Sequence, residues 1–182
     1  VGFESEYPSD VLPWMLAADS KKFQFKLLSS NSRYDLSQLK SELPINTKLL
    51  NLSHVSFCTG DRADLVEIGK LCRERGILFV VDFSQSLGAF QISAEEREFV
   101  DVGACVTYKW LLGCYGHAFG YFSEMASCKI ERRLANWLVS SMSKNSGSLT
   151  TYTLNTLPGA RKFDRGQTAN PLVMRCLSSS LD

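Results

Sequence analysis

The stretch GILFVVDF, residues 76–83, constrains this chain more than any other. Ile77 to Val81 are five consecutive apolar residues, and they read as a strand buried on both faces, the pattern of a parallel sheet. Directly before it, DRADLVEIGKLCRERG (61–76) is the clearest helix in the sequence. Leu65, Ile68, Leu71 and Cys72 recur at helical spacing, Asp61 is placed to cap the start, and Gly76 stops it.

The same alternation runs along the chain. KFQFKLLS (22–29) reads as a strand. RYDLSQLKSELP (33–44) predicts a short helix capped by Asp35, with Leu36, Leu39 and Leu43 on one face and Pro44 at its end. TKLLNLSHVSF (47–57) is the next strand, AEEREF (94–99) a short acidic helix with a solvated charged face, and VDVGACVTY (100–108) a second buried strand. HAFGYFS (117–123) reads as a short strand, SCKIERRLANWLV (127–139) as a helix, and SSMSKNSGSLTTY (140–152) as a Ser- and Thr-rich loop. Strands alternating with helices define an α/β layered fold. In such folds ligands bind beyond the carboxyl ends of the strands, where this sequence puts His54, Asp82, Gln85 and Lys109.

Bulk properties narrow the function. At 182 residues, with 45% hydrophobic and 21% charged residues, the chain reads as one globular domain or one and a half. A net charge of +1 gives no electrostatic reason to bind nucleic acid or an anionic membrane. No run approaches the roughly 20 apolar residues of a membrane span, and no signal peptide is visible. The sequence starts without Met and ends, in RCLSSSLD, inside what reads as a starting helix, so it reads as a fragment of a longer polypeptide. Six cysteines, at 58, 72, 105, 114, 128 and 176, show no CxxC spacing and no clustering with His54 or His117, which argues against zinc. Cys72, Cys105 and Cys128 lie in or beside apolar segments and are expected to pack as small hydrophobes. The expected compartment is reducing, the cytosol.

One stretch resists a purely structural account. In VTYKWLLGCYG (106–116), Lys109 sits at the edge of a core-like run. Asp82 ends the most hydrophobic strand, where an ionised carboxylate faces a desolvation cost unless a cation pairs with it. The simplest reading is an Asp82–Lys109 ion pair, or two solvated loop residues.

The neighbours of both residues suggest more. Asp82 is followed by Ser84, Gln85 and Gly88 in VVDFSQSLGA; Lys109 follows Thr107 and Tyr108 and precedes WLLGCYG. These motifs, with EYPSDVLPW (6–14), LSHVSFCTG (52–60) and RKFDRGQTAN (161–170) in matching order, resemble the class V aminotransferase family of pyridoxal-phosphate enzymes. That family includes cysteine desulfurases, kynureninases and isopenicillin N epimerase-like proteins. The resemblance implies a three-layer α/β sandwich with a mostly parallel sheet, the large domain of a fold-type I enzyme. Residues 1–182 would form that cofactor-binding domain incompletely, with a phosphate-cradling loop before residue 1 and a small domain after residue 182.

The resemblance also implies roles. Lys109 would hold pyridoxal phosphate as a Schiff base and later move protons at the substrate's alpha carbon. Asp82 would pair with the ring nitrogen and Gln85 would donate to the phenolic oxygen. Ser84 would lie on one ring face and Tyr7 on the other, while Thr107 and Tyr108 would offer hydroxyls to the phosphate. Gly166 and Thr168 (or Gln167, since the segment carries one extra residue) would reach a partner's phosphate across a homodimer. His54 would either orient a loop or touch substrate; His117 and Trp110 would pack. Pro8 falls near the position of the ring-stacking His of desulfurases, and Phe57 replaces a family Asn; the first departure argues against a standard cysteine desulfurase. The expected activity acts on an amino acid, by transamination, epimerisation, elimination or kynureninase-type hydrolysis. Two other readings compete: a nucleotide-binding domain, which lacks any GxGxxG or GxxxxGK[ST] motif, and a non-catalytic scaffold of the same fold, against which the joint presence of Lys109, Asp82 and Gln85 speaks.

Overall fold

In the computed structural model, which describes residues 1–20, 23–33, 35–131, 135–144, 150, 152–165 and 170–182, helices and strands alternate as the sequence predicts. In chain order they are β1 (Gly2–Phe3), α1 (Pro8–Ser20), β2 (Leu27–Leu28), α2 (Leu36–Glu42), β3 (Leu49–Ser53), α3 (Leu65–Arg75), β4 (Leu78–Asp82), α4 (Ala94–Phe99), β5 (Val102–Val106), β6 (Ala118–Phe122), α5 (Glu124–Lys129) and α6 (Pro171–Leu181). The main sheet has the order β3-β4-β5-β6. β3, β4 and β5 run parallel, and β6 is antiparallel to β5. β1 and β2 form a separate parallel pair.

Side-chain alternation gives the sheet two unlike faces. Leu50 and Leu52 of β3, Phe79 and Val81 of β4 and Cys105 of β5 are buried in one core. That core continues into Leu39 of α2 and Leu65, Ile68, Leu71 and Cys72 of α3. The opposite face carries Asn51, Ser53, Val80, Asp82, Val102 and Ala104, which the register sets side by side. α1 packs there, with Asn51 Nδ2 donating to the Asp10 carbonyl at 3.1 Å. Ala104 remains exposed. β4 is therefore not buried equally on both faces: Phe79 and Val81 are fully buried while Leu78 and Val80 are only half-buried.

Asp101, the acid in the apolar run before β5, is buried because its Oδ2 accepts the Phe79 N–H at 2.9 Å. A buried carboxylate accepting a backbone donor is a satisfied one.

Several expectations need correction. The cap of α3 is Asp64, whose side chain accepts from the Val66 and Glu67 N–H groups, not Asp61. Gly76 does end the helix, at φ 64°, a conformation that favours glycine. α4 is not simply solvated: Glu96 closes a capping box with Ser93, pairs with Arg62 and is buried. The helix expected over 127–139 is the shorter α5, ending at Lys129 where Ile130 turns extended; residues 132–134 lie outside the described set. In the expected strand 22–29 only Leu27–Leu28 is paired, and residue 22 lies outside the described set. Cys128 is exposed rather than packed. Among the described residues no helix is long and apolar enough to cross a membrane.

The cap assignment is directly testable. Asp64→Ala removes a side-chain acceptor from two N–H groups and should cost ~1 kcal/mol in urea unfolding. Asp61→Ala, whose carboxylate caps nothing, should change stability by less than about 0.5 kcal/mol.

Candidate active site

The site forms where β3, β4 and β5 end together. The register aligns Ser53 with Asp82 and Asp82 with Ala104. Asp82 Oδ1 accepts the Ser84 N–H at 2.9 Å, and Ser84 Oγ accepts the Val106 N–H at 3.2 Å, so Ser84 ties the end of β4 to the end of β5. The loops that follow those strands are held together in turn. Trp110 Nε1 donates to Gln85 Oε1 at 3.2 Å. Gly88, at φ 96°, lies so close to Trp110 that a Cβ would stand 2.6 Å from its carbonyl oxygen, leaving no room for a side chain. Trp110 was expected only to pack; it also fixes the amide of Gln85. An indole N–H only donates, so the Gln85 oxygen is used and its NH₂ remains for another acceptor.

Asp82 and Lys109 form no ion pair within 4.0 Å, which removes the first half of the simplest reading, the direct pair. Among the described residues neither has an ion-pair partner of its own. Both nevertheless act on one buried thiol: burial pushes Cys105 up to about 11, the Asp82 charge adds to the rise, and Lys109 opposes it. Lys109 Nζ lies 5.5 Å from the centroid of the Tyr7 ring, a cation–π contact that draws Lys109 and Tyr7 together. Tyr7 is met edge-on by Phe57, with ring centroids 5.4 Å apart.

The sequence reading missed the residue closest in character to Asp82. Asp10, in the first turn of α1, is its acidic neighbour. Its Oδ2 is buried with no donor aimed at it. Two carboxyl groups share a hydrogen bond only if one holds a proton. Burial first, then the Asp82 charge, the hydrogen bond with Asp82 and the Glu6 charge push the Asp10 carboxyl up to about 8. Glu6 is buried beside them, its two oxygens accepting from the Ser53 N–H and hydroxyl. EYPSD carried the signal, a carboxylate one turn into a helix that starts at Pro8.

Other expected residues are placed as follows. The Thr107 hydroxyl is buried and turned into its own loop, against the carbonyls of Cys114 at 3.3 Å and His117 at 3.1 Å, so it is not presented to a ligand. Tyr108 stacks on Tyr115 with centroids 4.2 Å apart. His54 lies in the core, its Nδ1 buried with no hydrogen-bond partner among the described residues. It is fully buried, with its ring between Phe83 and Phe90, and its N–H bonds the Asp82 carbonyl at 2.9 Å. Arg62 Nε donates to its Nε2, and burial together with the Arg62 charge holds His54 down at about 4, hence neutral. Gly166, Gln167 and Thr168 lie outside the described residues.

A groove of about 1290 Å³ starts at Ala104, the register neighbour of Asp82, and runs past Thr107 and His117 to Phe163 and Leu177. A smaller cavity of about 410 Å³, between Arg62, Asp64 and Ser93, contains neither Asp82 nor Lys109. Neither Asp82 nor Lys109 lines the larger groove either, which approaches Asp82 only through its register neighbour Ala104.

Comparison with known proteins agrees with this architecture. The family model for aminotransferase class-V matches residues 1–175, and the chain belongs to that family. A probable cysteine desulfurase of Methanothermobacter thermautotrophicus is 26% identical over 179 residues, 97% of this chain and 42% of that protein. A probable cysteine desulfurase of Pyrococcus abyssi is 30% identical over 92 residues, 50% of this chain and 23% of that protein. Among solved structures, C-DES with glycine covalently linked to its PLP cofactor superposes with a TM-score of 0.86 at 20% identity, over 99% of this chain and 47% of that one. The same protein, described as a cystine C-S lyase with its product cysteine persulfide, gives the same score. The fold is thus the α/β large domain of fold-type I enzymes, with a mixed, mostly parallel sheet. The chain spans less than half the length of these relatives.

The shared proton has a measurable consequence. A carboxyl raised in the folded state holds a proton that the unfolded chain releases above about 3.9. Its contribution to stability is complete below that pH and is lost as pH rises through about 8. Wild type should therefore lose stability relative to Asp10→Asn between these limits, read from denaturant midpoints at a series of pH values. His54 titrates with the opposite sign but equally in both proteins, so the difference isolates Asp10. Parallel curves would contradict the assignment.

Proposed function

We propose that this chain is the cofactor-binding part of a pyridoxal-phosphate-dependent enzyme acting on an amino acid, with Lys109 as its catalytic amine. One observation carries the reading. Asp10 and Asp82 are packed together at the end of a parallel strand with no cation paired to them among the described residues, and Lys109 stands near without a carboxylate of its own. A flat cationic heterocycle bearing an aldehyde meets both needs, and the C-DES structure holds that cofactor.

When bound, pyridoxal phosphate supplies an electron-withdrawing ring for the pair released at the substrate's alpha carbon. Asp82 would accept the ring N–H, and Asp10, its carboxyl raised by burial and by the Asp82 charge, would hold Asp82 in place without adding a second full negative charge. Gln85 offers its NH₂ to the phenolic oxygen because Trp110 occupies its other end. Lys109 would hold the cofactor's aldehyde through its amine and would hold or move the proton at the substrate's alpha carbon. Tyr7 and Ser84 bound the ring's two faces, and Tyr108 serves the phosphate. Thr107, whose hydroxyl is committed to its loop, is left out. Gly166 and Thr168 serve the phosphate of a second copy in a homodimer. Six free cysteines fit a cytosolic setting. The desulfurase and C-S lyase relatives favour a sulfur-bearing amino acid within this class, which release of cysteine persulfide on addition of cystine to the cofactor-loaded protein would test.

The primary test is reductive trapping. Pyridoxal phosphate followed by borohydride should mark the peptide containing Lys109, and Lys109→Ala should lose that mark. Asp82→Ala should weaken cofactor binding by ~2 kcal/mol, roughly thirtyfold. Label spread over other lysines, unchanged by either substitution, would contradict the proposal.

A further inference from the structure

The six cysteines fall into two sets. Cys72 and Cys105 are buried, and burial pushes their thiols up to about 12 and about 11, so they are inert at neutral pH. Cys58, Cys114, Cys128 and Cys176 are exposed. Two of these meet. Cys114 lies in the loop after Lys109, and Cys176 lies on α6.

Independent contacts bring that loop and that helix together. Ser180 Oγ of α6 donates to the Leu111 carbonyl at 2.7 Å. A Cβ on Gly113 would lie 3.2 Å from Leu177 Cδ1, so the backbone of the loop rests on the helix. Cys114 follows Gly113 and Cys176 precedes Leu177, so the contact of loop and helix brings the two exposed thiols together, and the neighbouring Cys176 thiol pushes that of Cys114 up. We propose that Cys114 and Cys176 are a reversible dithiol–disulfide site, coupling α6 to the loop that presents Lys109.

The oxidant is a small disulfide of the glutathione type. One thiolate of the pair attacks a sulfur of oxidised glutathione, forming a mixed disulfide and expelling one glutathione thiolate. The second protein thiolate attacks the protein-side sulfur, closing Cys114–Cys176 and expelling the other glutathione. The protein gives up two thiol protons and two electrons; the oxidant takes them as two thiols. Reduced glutathione reverses both steps.

The position matters because the loop is tightly drawn. Leu112 N–H bonds the Lys109 carbonyl and Gly113 N–H bonds the Thr107 carbonyl, both at 2.9 Å. Leu112 sits at φ 55°, an uncommon conformation for a residue with a side chain, so the turn is strained. Anchoring Cys114 to α6 restrains the far end of that turn.

The test exposes the chain to oxidised glutathione, blocks remaining thiols with N-ethylmaleimide, and digests with trypsin without reduction. The site predicts a peptide spanning 110–129 linked to the peptide 176–182, with free thiols falling from six to four. The first peptide also holds Cys128, so the variants assign the bond: Cys128→Ser keeps the link, whereas Cys114→Ser and Cys176→Ser abolish it. Dithiothreitol should restore six free thiols, and the linked species should run as a monomer on a non-reducing gel. Three results would each overturn the proposal: recovery of 176–182 only as its maleimide or glutathione adduct, a link surviving in Cys114→Ser, or a link confined to dimers.

Discussion

Everything at the strand ends follows from the register of three parallel strands. Because β4 places Phe79 and Val81 in the core, Asp82 must face the other way, beside Ser53 and Ala104. A slip of one residue would turn Asp82 into a layer of leucines and expose Val81. An unpaired carboxylate there would cost several kcal/mol, so the core and the site enforce the same register. The helices α2 and α3 settle which face is core; the opposite face, covered over β3 by α1, holds Asn51, Ser53 and Asp82.

That opposite face is assembled against local preference. Asp10 keeps a proton that a solvated aspartate would release, Leu112 takes a left-handed turn, and Gly88 abuts the Trp110 carbonyl. Such departures concentrate where a surrounding structure holds groups ready for a ligand. The rest of the chain is more ordinary. α2, α3 and α4 have side-chain caps, and His54 is buried neutral with a donor from Arg62.

How much was legible in the sequence depended on whether the relevant physics was local. β4, α2 and α3 could be read because their apolar spacing matches the period of the element they form. α1 was read only as the motif EYPSDVLPW and not as a helix, in which Pro8 is tolerated in the first turn and Pro13 is carried within. The cap of α3 was misplaced because Asp61 and Asp64 are the same residue type three positions apart, and only the backbone decides between them. Asp82, Gln85 and Lys109 stood out as chemical groups at the ends of apolar runs. Asp10 and the indole of Trp110 act through tertiary neighbours, Asp82 and Gln85, that no linear spacing reveals.

The central claim is that the Asp82–Asp10 pair binds a protonated ring nitrogen. The most direct measurement is the ¹⁵N resonance of pyridoxal phosphate labelled at the ring nitrogen and bound to the protein, followed across neutral pH. The account predicts a nitrogen that stays protonated in wild type and titrates in Asp82→Ala. A nitrogen that titrates in wild type as it does in Asp82→Ala would contradict it.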